Sequence, residues 1–124
     1  MTPEETFDHI VEMSCRSFAG GTAGFITYFA LWQEIHGYAA PFVLPLLMND
    51  LGQVLRHAAA IGAPAITTIV VRAPGQELTE QAKVNIRNAW ERYGQTIDDN
   101  LDCFIADQTN RTLAYIRPLC RNRA

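Results

Sequence analysis

The feature that most constrains this chain is the segment from Phe25 to Val71, in which four structural patterns follow one another. A short amphipathic run comes first, then a turn with two prolines, then a longer amphipathic run that ends at Gly62, and finally a β-branched run over Ala65–Val71. Pro64 prevents the longer run from continuing as a helix, because proline lacks an N–H group and its ring clashes with the preceding turn. The order helix, turn, helix, strand therefore predicts an α+β fold organised around this segment.

The longer run predicts a helix from about Leu46 to Ile61 with two different faces. At 100° per residue, Asn49, Gln53 and Arg56 fall together on one arc, and the apolar residues fall on the opposite arc. The apolar arc predicts burial, and the polar arc predicts an exposed surface. The residues of the apolar arc are Leu47, Leu51, Val54, Leu55 and Ala58.

The flanking sequence adds helices on both sides and a C-terminal hairpin. A capping box and a first-turn proline start a helix at Thr2, Thr27 caps the short helix that ends at Gly37, and Thr79 caps a further helix over 79–93. Between them, Pro74-Gly75 predicts a type II turn. Residues 101–116 predict two short strands around a turn at 107–110, with a helix over the same residues as the alternative.

The size and composition of the chain indicate one domain spanning residues 1–124. With 48% hydrophobic and 19% charged residues, the 124-residue chain has the composition of an ordinary globular protein with one core. The nearly uncharged stretch Tyr38–Asn49 is too short to cross a bilayer, and Met1–Phe18 is acidic where a signal peptide is positively charged. We therefore expect a cytoplasmic protein with no membrane segment, in which residues 25–72 form the core, 79–93 an additional helix, and 101–124 a hairpin with a basic tail.

No pattern in the sequence indicates catalysis, a cofactor or a metal site. Cys15, Cys103 and Cys120 are an odd number without C-x-x-C spacing, which favours free thiols over a disulfide framework or a zinc site. No serine lies in a G-x-S-x-G sequence, and no two histidines have the spacing of a metal-binding helix. The prediction is a non-enzymatic protein without cofactor or metal.

The charges of the chain are unevenly distributed. Residues 1–55 carry six acidic side chains and a single Arg, whereas residues 56–124 carry nine basic and seven acidic side chains. The segment Arg111–Ala124 contains four Arg and no acidic residue. The formal net charge of −3 gives no broad electrostatic attraction to nucleic acid, although the basic end permits local contacts.

The succession of Phe25-Ile26-Thr27-Tyr28, a helix to Gly37, a second helix to Gly62, Pro64 and Ile69-Val70-Val71 resembles a winged-helix module of prokaryotic restriction and HNH-type defence proteins. The same residues 25–72 are similar to the C-terminal DNA-binding domain of alkylguanine DNA methyltransferases and alkyltransferase-like proteins. The resemblance implies a winged-helix-like helix-turn-helix whose second helix enters a DNA groove. No Pro-Cys-His-Arg sequence occurs in this chain, so it implies no alkyl-transfer chemistry.

Two functional hypotheses follow. In the first, Asn49, Gln53 and Arg56, together with Arg72 at the turn after the strand, bind duplex DNA, because Asn and Gln pair bidentately with adenine and Arg with guanine. In the second, the chain is a protein-binding module, an accessory subunit or inhibitor, whose acidic N-terminal half meets a basic partner. Association into a homodimer stays open under either hypothesis.

Overall fold

The structure is a computed structural model, and it describes residues 1–73 and 75–121. Within these ranges the chain forms five α-helices, one 3-10 helix and two short strands. In chain order they are α1 (Pro3–Ala19), β1 (Ile26–Thr27), α2 (Tyr28–His36), α3 (Leu44–Ala60), the 3-10 helix (Ile66–Ile69), β2 (Val70–Val71), α4 (Glu80–Arg92) and α5 (Leu101–Cys120). The described part is therefore mostly helical, with a very small sheet.

Three helices begin at the threonines that the sequence indicates. Thr2 Oγ1 accepts a hydrogen bond from the Glu5 N–H at 3.1 Å, and Glu5 Oε1 accepts one from the Thr2 N–H at 3.0 Å, which completes the capping box of α1. The hydrogen bond that the Thr2 backbone N–H donates to the Glu5 carboxyl, and then the interaction with the Thr2 side chain, lower the pKa of that carboxyl. Thr27 caps α2 and Thr79 caps α4, each by accepting a hydrogen bond from a backbone N–H three residues ahead.

The apolar arc of α3 lies at the centre of the molecule. Its five predicted residues are all buried, and α3 packs against both α1 and α4. The helix is followed by Gly62, whose φ of +74° lies in the left-handed region that favours glycine. One buried hydrophobic cluster among the described residues draws side chains from all five helices. The assignment of residues 1–124 to a single domain remains a prediction.

The strand predicted over Ala65–Val71 is mostly wrong. Ile66–Ile69 forms a 3-10 helix, and only Val70–Val71 is a strand, which pairs in parallel with Ile26–Thr27. All six residues from Ile66 to Val71 are buried, so the β-branched run reports burial rather than sheet pairing. Within the described ranges no strand follows β2.

The predicted C-terminal hairpin is also wrong, because residues 101–120 form the single helix α5. Asn100 caps it by accepting a hydrogen bond from the Cys103 N–H at 3.0 Å. The predicted turn lies inside the helix, where Asp107 and Arg111 form an ion pair at 2.8 Å across one helical turn. The alternative of a helix over these residues is therefore the correct one.

Two buried polar side chains explain the error. Gln108 Oε1 accepts a hydrogen bond from the Ala65 N–H at 2.9 Å, and the Thr112 hydroxyl donates to the Ala65 carbonyl at 3.4 Å. Together with Phe104 and Ile116 they form the buried stripe of α5, spaced by four residues. Because two of these four residues are polar, the pattern of hydrophobic residues does not show the helical period of this segment.

The cysteines correct a further expectation, since two of the three are joined in a disulfide. Cys15 of α1 is bonded to Cys120 of α5, with their Cα atoms 5.3 Å apart, whereas Cys103 is a free and exposed thiol. Next to this disulfide the Arg117 guanidinium lies 4.7 Å from the centre of the Phe18 ring. Because the two bonded residues are 105 positions apart, only the packing of α1 on α5 reveals the pairing.

Some expectations fall on residues outside the described ranges. Pro74 of the predicted type II turn and Arg123 of the predicted basic tail lie there. Among the described helices none combines the length and the apolar character needed to cross a bilayer.

Candidate interaction surface

Asn49, Gln53 and Arg56 lie together on one face of α3, and all three side chains are exposed. None of them makes a hydrogen bond or an ion pair with any other described residue. Arg72 is also exposed, but it follows β2, and no hydrogen bond or ion pair with described residues ties it to the α3 face. Three of the four predicted residues therefore share one face of α3, and Arg72 lies outside that helix.

The surroundings of this face differ from what a phosphate-binding surface needs. Leu46, three residues before Asn49 on the same side of α3, has 53% of its surface exposed. Asp50, on the flank, forms a hydrogen bond with His36 Nε2 at 2.9 Å that connects the end of α2 to α3. An exposed leucine and a paired acid thus border the polar residues.

A larger exposed surface lies where α2 turns into α3. We call it the corner surface and define it by six exposed side chains: Phe29, Tyr38, Phe42, Val43, Leu44 and Leu46. Tyr38 is 87% exposed and Phe29 is 55% exposed, and every residue from 41 to 46 is exposed. Single exposed apolar side chains are common, but a run of them on one surface marks an interaction site.

Aromatic contacts support two residues of the corner surface, Phe29 and Phe42. The Phe42 ring meets the buried Trp32 ring edge to face at 5.6 Å and the exposed Phe29 ring at 6.2 Å. Trp32 in turn lies against His36, with ring centres 3.9 Å apart. The Trp32 indole N–H is buried and has no acceptor among the described residues. Phe42 is consequently packed on one side and open on the other, which is the arrangement of a preformed anchor.

The acidic side chains of the N-terminal half are largely occupied by partners. Glu34 contacts Arg16 at 3.3 Å and His9 at 3.2 Å, and Glu12 contacts Arg16 at 2.9 Å. The hydrogen bond that Arg16 donates to Glu12, and then the one that it donates to Glu34, raise the pKa of Arg16. Glu12 and Glu34 are thus already ion-paired, and the six side chains of the corner surface carry no charge.

Sequence reasoning did not identify the corner surface, although one signal for it was present. Residues 41–46 read Pro-Phe-Val-Leu-Pro-Leu in a turn, where polar residues are usual. Large apolar residues in a proline-containing turn indicate either a buried loop or an exposed binding surface, and the structure distinguishes the two.

No arrangement of metal ligands accompanies this surface. Among residues 1–73 and 75–121, no group of three or more His, Cys, Asp or Glu side chains is placed to hold a metal ion. Comparisons of the chain with protein-family models, with curated proteins and with solved structures returned no match.

Proposed function

We propose that this chain is a non-enzymatic interaction module that binds a partner protein through the corner surface. The observation that carries the proposal is the exposure of six uncharged, mostly large apolar side chains on one supported surface. Water-exposed apolar area of this kind is unfavourable, and its burial against a partner supplies the main driving force for association.

The lack of charge on the corner surface indicates which kind of partner surface can bind to it. A charged side chain brought to its centre would lose water without gaining an opposite charge, because residues 37–49 contain no acidic or basic residue. The partner therefore presents an apolar centre, and Phe29 and Phe42 are the aromatic anchors. This proposal differs from the expectation that the acidic N-terminal half meets a basic partner, since Glu12 and Glu34 are already ion-paired with Arg16 and Asp50 is hydrogen-bonded to His36.

Replacing Phe29 with Asp is expected to weaken partner binding at least about 10-fold, because a charge would be buried opposite an apolar surface. The fold should persist, since Phe29 is exposed and an acidic residue in the first turn of α2 is favoured by the helix dipole. The measurement is site-specific photocrosslinking in cells with a photoreactive residue at position 46, in chains with and without Phe29→Asp.

A photoreactive residue at the exposed Gln81 of α4 is the matched control. We expect a discrete protein adduct from position 46, its loss with Phe29→Asp, and no such adduct from position 81. Equal adducts from both positions, or none from position 46, would contradict the proposal. An adduct between two copies of the chain would identify the partner as a second copy, so that the protein would be a homodimer.

A second candidate function is duplex DNA binding by a winged-helix-like arrangement of α2 and α3, in a prokaryotic defence or regulatory setting. The specific observation in its favour is that Asn49, Gln53 and Arg56 share one face of α3, exposed and unpaired within the described part. The net charge of −3 and the exposed Leu46 favour the protein partner instead.

For DNA binding, Arg56→Ala is expected to weaken affinity about 10-fold or more, and affinity should fall steeply as salt is raised. Fluorescence anisotropy with duplex DNA over a range of salt concentrations measures both. Arg111→Ala removes the same charge from α5 and should have little effect. If the protein does not retain duplex DNA even at low salt, this second function is ruled out.

A cytoplasmic location belongs to both proposals, and the disulfide makes it testable. Cytoplasmic proteins usually keep their thiols reduced, whereas the structure joins Cys15 to Cys120. Alkylation of the protein inside intact cells, followed by mass spectrometry, reports the state of the two residues. Two alkylated thiols would support the cytoplasm, and a protected pair would favour an oxidising compartment.

A further inference from the structure

A groove of about 270 Å³ lies between α3 and α4. Leu51 and Leu55 of α3 form one wall, and Ile86 and Ala89 of α4 form the other. The volume is slightly below the usual range of about 300–1,000 Å³ for small-molecule sites, which suits a ligand of small size. Three further features of the groove indicate what such a ligand contains.

The first feature is a glycine in the middle of a helix. Gly52 lines the groove from within α3, and a Cβ atom at this position would meet nothing within 4 Å. Glycine inside a helix is less stable than alanine, and here neither packing nor a positive φ requires it. The absent side chain keeps the groove open.

The second feature is an unpaired hydroxyl. Thr67 of the 3-10 helix lines the groove, is 2% exposed, and its Oγ1 has no hydrogen-bond partner among the described residues. The neighbouring Thr68, equally buried, donates its hydroxyl hydrogen bond to the Ala65 carbonyl at 3.1 Å. A buried hydroxyl without a partner is unfavourable, and a polar atom of a bound ligand would satisfy it.

The third feature is the charge of the groove. Arg92 at the end of α4 is the one charged residue that lines it, and it makes no ion pair or hydrogen bond with a described residue. Tyr28 also lines the groove, and burial raises the pKa of its hydroxyl. The lining thus carries a positive charge without an opposing carboxylate.

We infer that this groove binds a small carboxylate with an apolar body and a second polar group. The body lies against Leu51, Leu55 and Ile86. The carboxylate contacts the Arg92 guanidinium, and the second polar group hydrogen-bonds to Thr67. Hydroxylated aromatic acids have this chemistry, because an aromatic ring separates a carboxylate from a hydroxyl. The residues that line this site are not among those proposed to bind protein or DNA.

Three probes of the same ring size test the inference: 4-hydroxybenzoate, benzoate and 4-hydroxybenzyl alcohol. We expect 4-hydroxybenzoate to shift the amide signals of α3 and α4 saturably in nitrogen-15 NMR spectra. Benzoate should bind about 3-fold more weakly because it lacks the hydroxyl, and the neutral alcohol about 10-fold more weakly because it lacks the charge. Absence of saturable shifts in α3 and α4 with 4-hydroxybenzoate would overturn the inference.

Two variants separate the groove from nonspecific binding. Gly52→Leu should fill the open space and lower 4-hydroxybenzoate affinity at least about 10-fold, while the melting temperature stays the same or rises, because leucine favours helix. Arg92→Gln should reduce 4-hydroxybenzoate affinity about 10-fold and leave that of the alcohol unchanged. Arg111→Gln on α5 is the charge-matched control and should change neither. Unaltered 4-hydroxybenzoate binding in both Gly52→Leu and Arg92→Gln would refute the assignment of the site.

Discussion

Reduction of the Cys15–Cys120 disulfide is expected to lower the free energy of unfolding by about 4–5 kcal/mol. The bond closes a loop of 105 residues, and the chain-entropy model assigns about 4.7 kcal/mol to a loop of roughly 100 residues. Because small domains have only about 5–15 kcal/mol of stability, this loss approaches the whole stability of a marginal domain. Urea unfolding followed by circular dichroism, with and without a reductant, measures the difference.

Serine substitutions provide the controls for this result. The Cys15→Ser, Cys120→Ser double variant should unfold at the urea midpoint of the reduced protein and should not respond to reductant. Cys103→Ser should behave like the oxidised parent, since Cys103 is free. If the oxidised and reduced parent proteins unfold at the same midpoint, the bond does not stabilise the fold as described.

Gln108→Met is expected to destabilise the protein by about 2 kcal/mol although it nearly preserves the volume of the side chain. It removes the acceptor of the Ala65 N–H and leaves that buried donor unpaired, for which the cost is about 1–3 kcal/mol. The comparison is Thr112→Val, which removes a donor to the Ala65 carbonyl. That carbonyl still accepts from Thr68, so we expect a loss of about 1 kcal/mol or less.

Urea unfolding of both variants distinguishes this account from simple loss of packing. If the two substitutions destabilise equally, the backbone of Ala65 is not what Gln108 supports. A neutral Gln108→Met would have the same meaning. The expected difference between the variants therefore tests whether the link between α5 and the 3-10 helix is a hydrogen bond.

Local signals account for the part of the fold that the sequence predicts well. A threonine cap determines where a helix begins through hydrogen bonds to residues only three positions away, so Thr2, Thr27 and Thr79 locate α1, α2 and α4. The apolar arc of α3 is equally local, because the helical period places its members on one side. The exposure of Asn49, Gln53 and Arg56 follows from the same period.

Features that depend on distant parts of the chain are not visible in this way. Gln108 and Thr112 occupy core positions of α5 because a backbone unit more than forty residues earlier in sequence pairs with them. The β-branched run forms a 3-10 helix at Ile66–Ile69, and only Val70 and Val71 pair with β1. In each case tertiary contacts override the local preference of the sequence.

The candidate surfaces also differ in whether local sequence or distant contacts determine them. The polar face of α3 is predictable, but the corner surface depends on how the turn before α3 lies across Trp32. The groove between α3 and α4 depends on the distance between two helices and on an unpaired hydroxyl in a third element. Tertiary packing therefore determines which apolar residues of the turn remain exposed to solvent.

The bond between α1 and α5 also determines what proteolysis does to this molecule. A single cut at any connection between Cys15 and Cys120 opens a covalent ring and leaves both pieces attached to each other. The nicked protein therefore keeps its full mass on a non-reducing gel and separates into two bands only after reduction. Because nearly the whole chain lies inside the ring, a break in the turn before α3 releases no fragment from the rest of the protein.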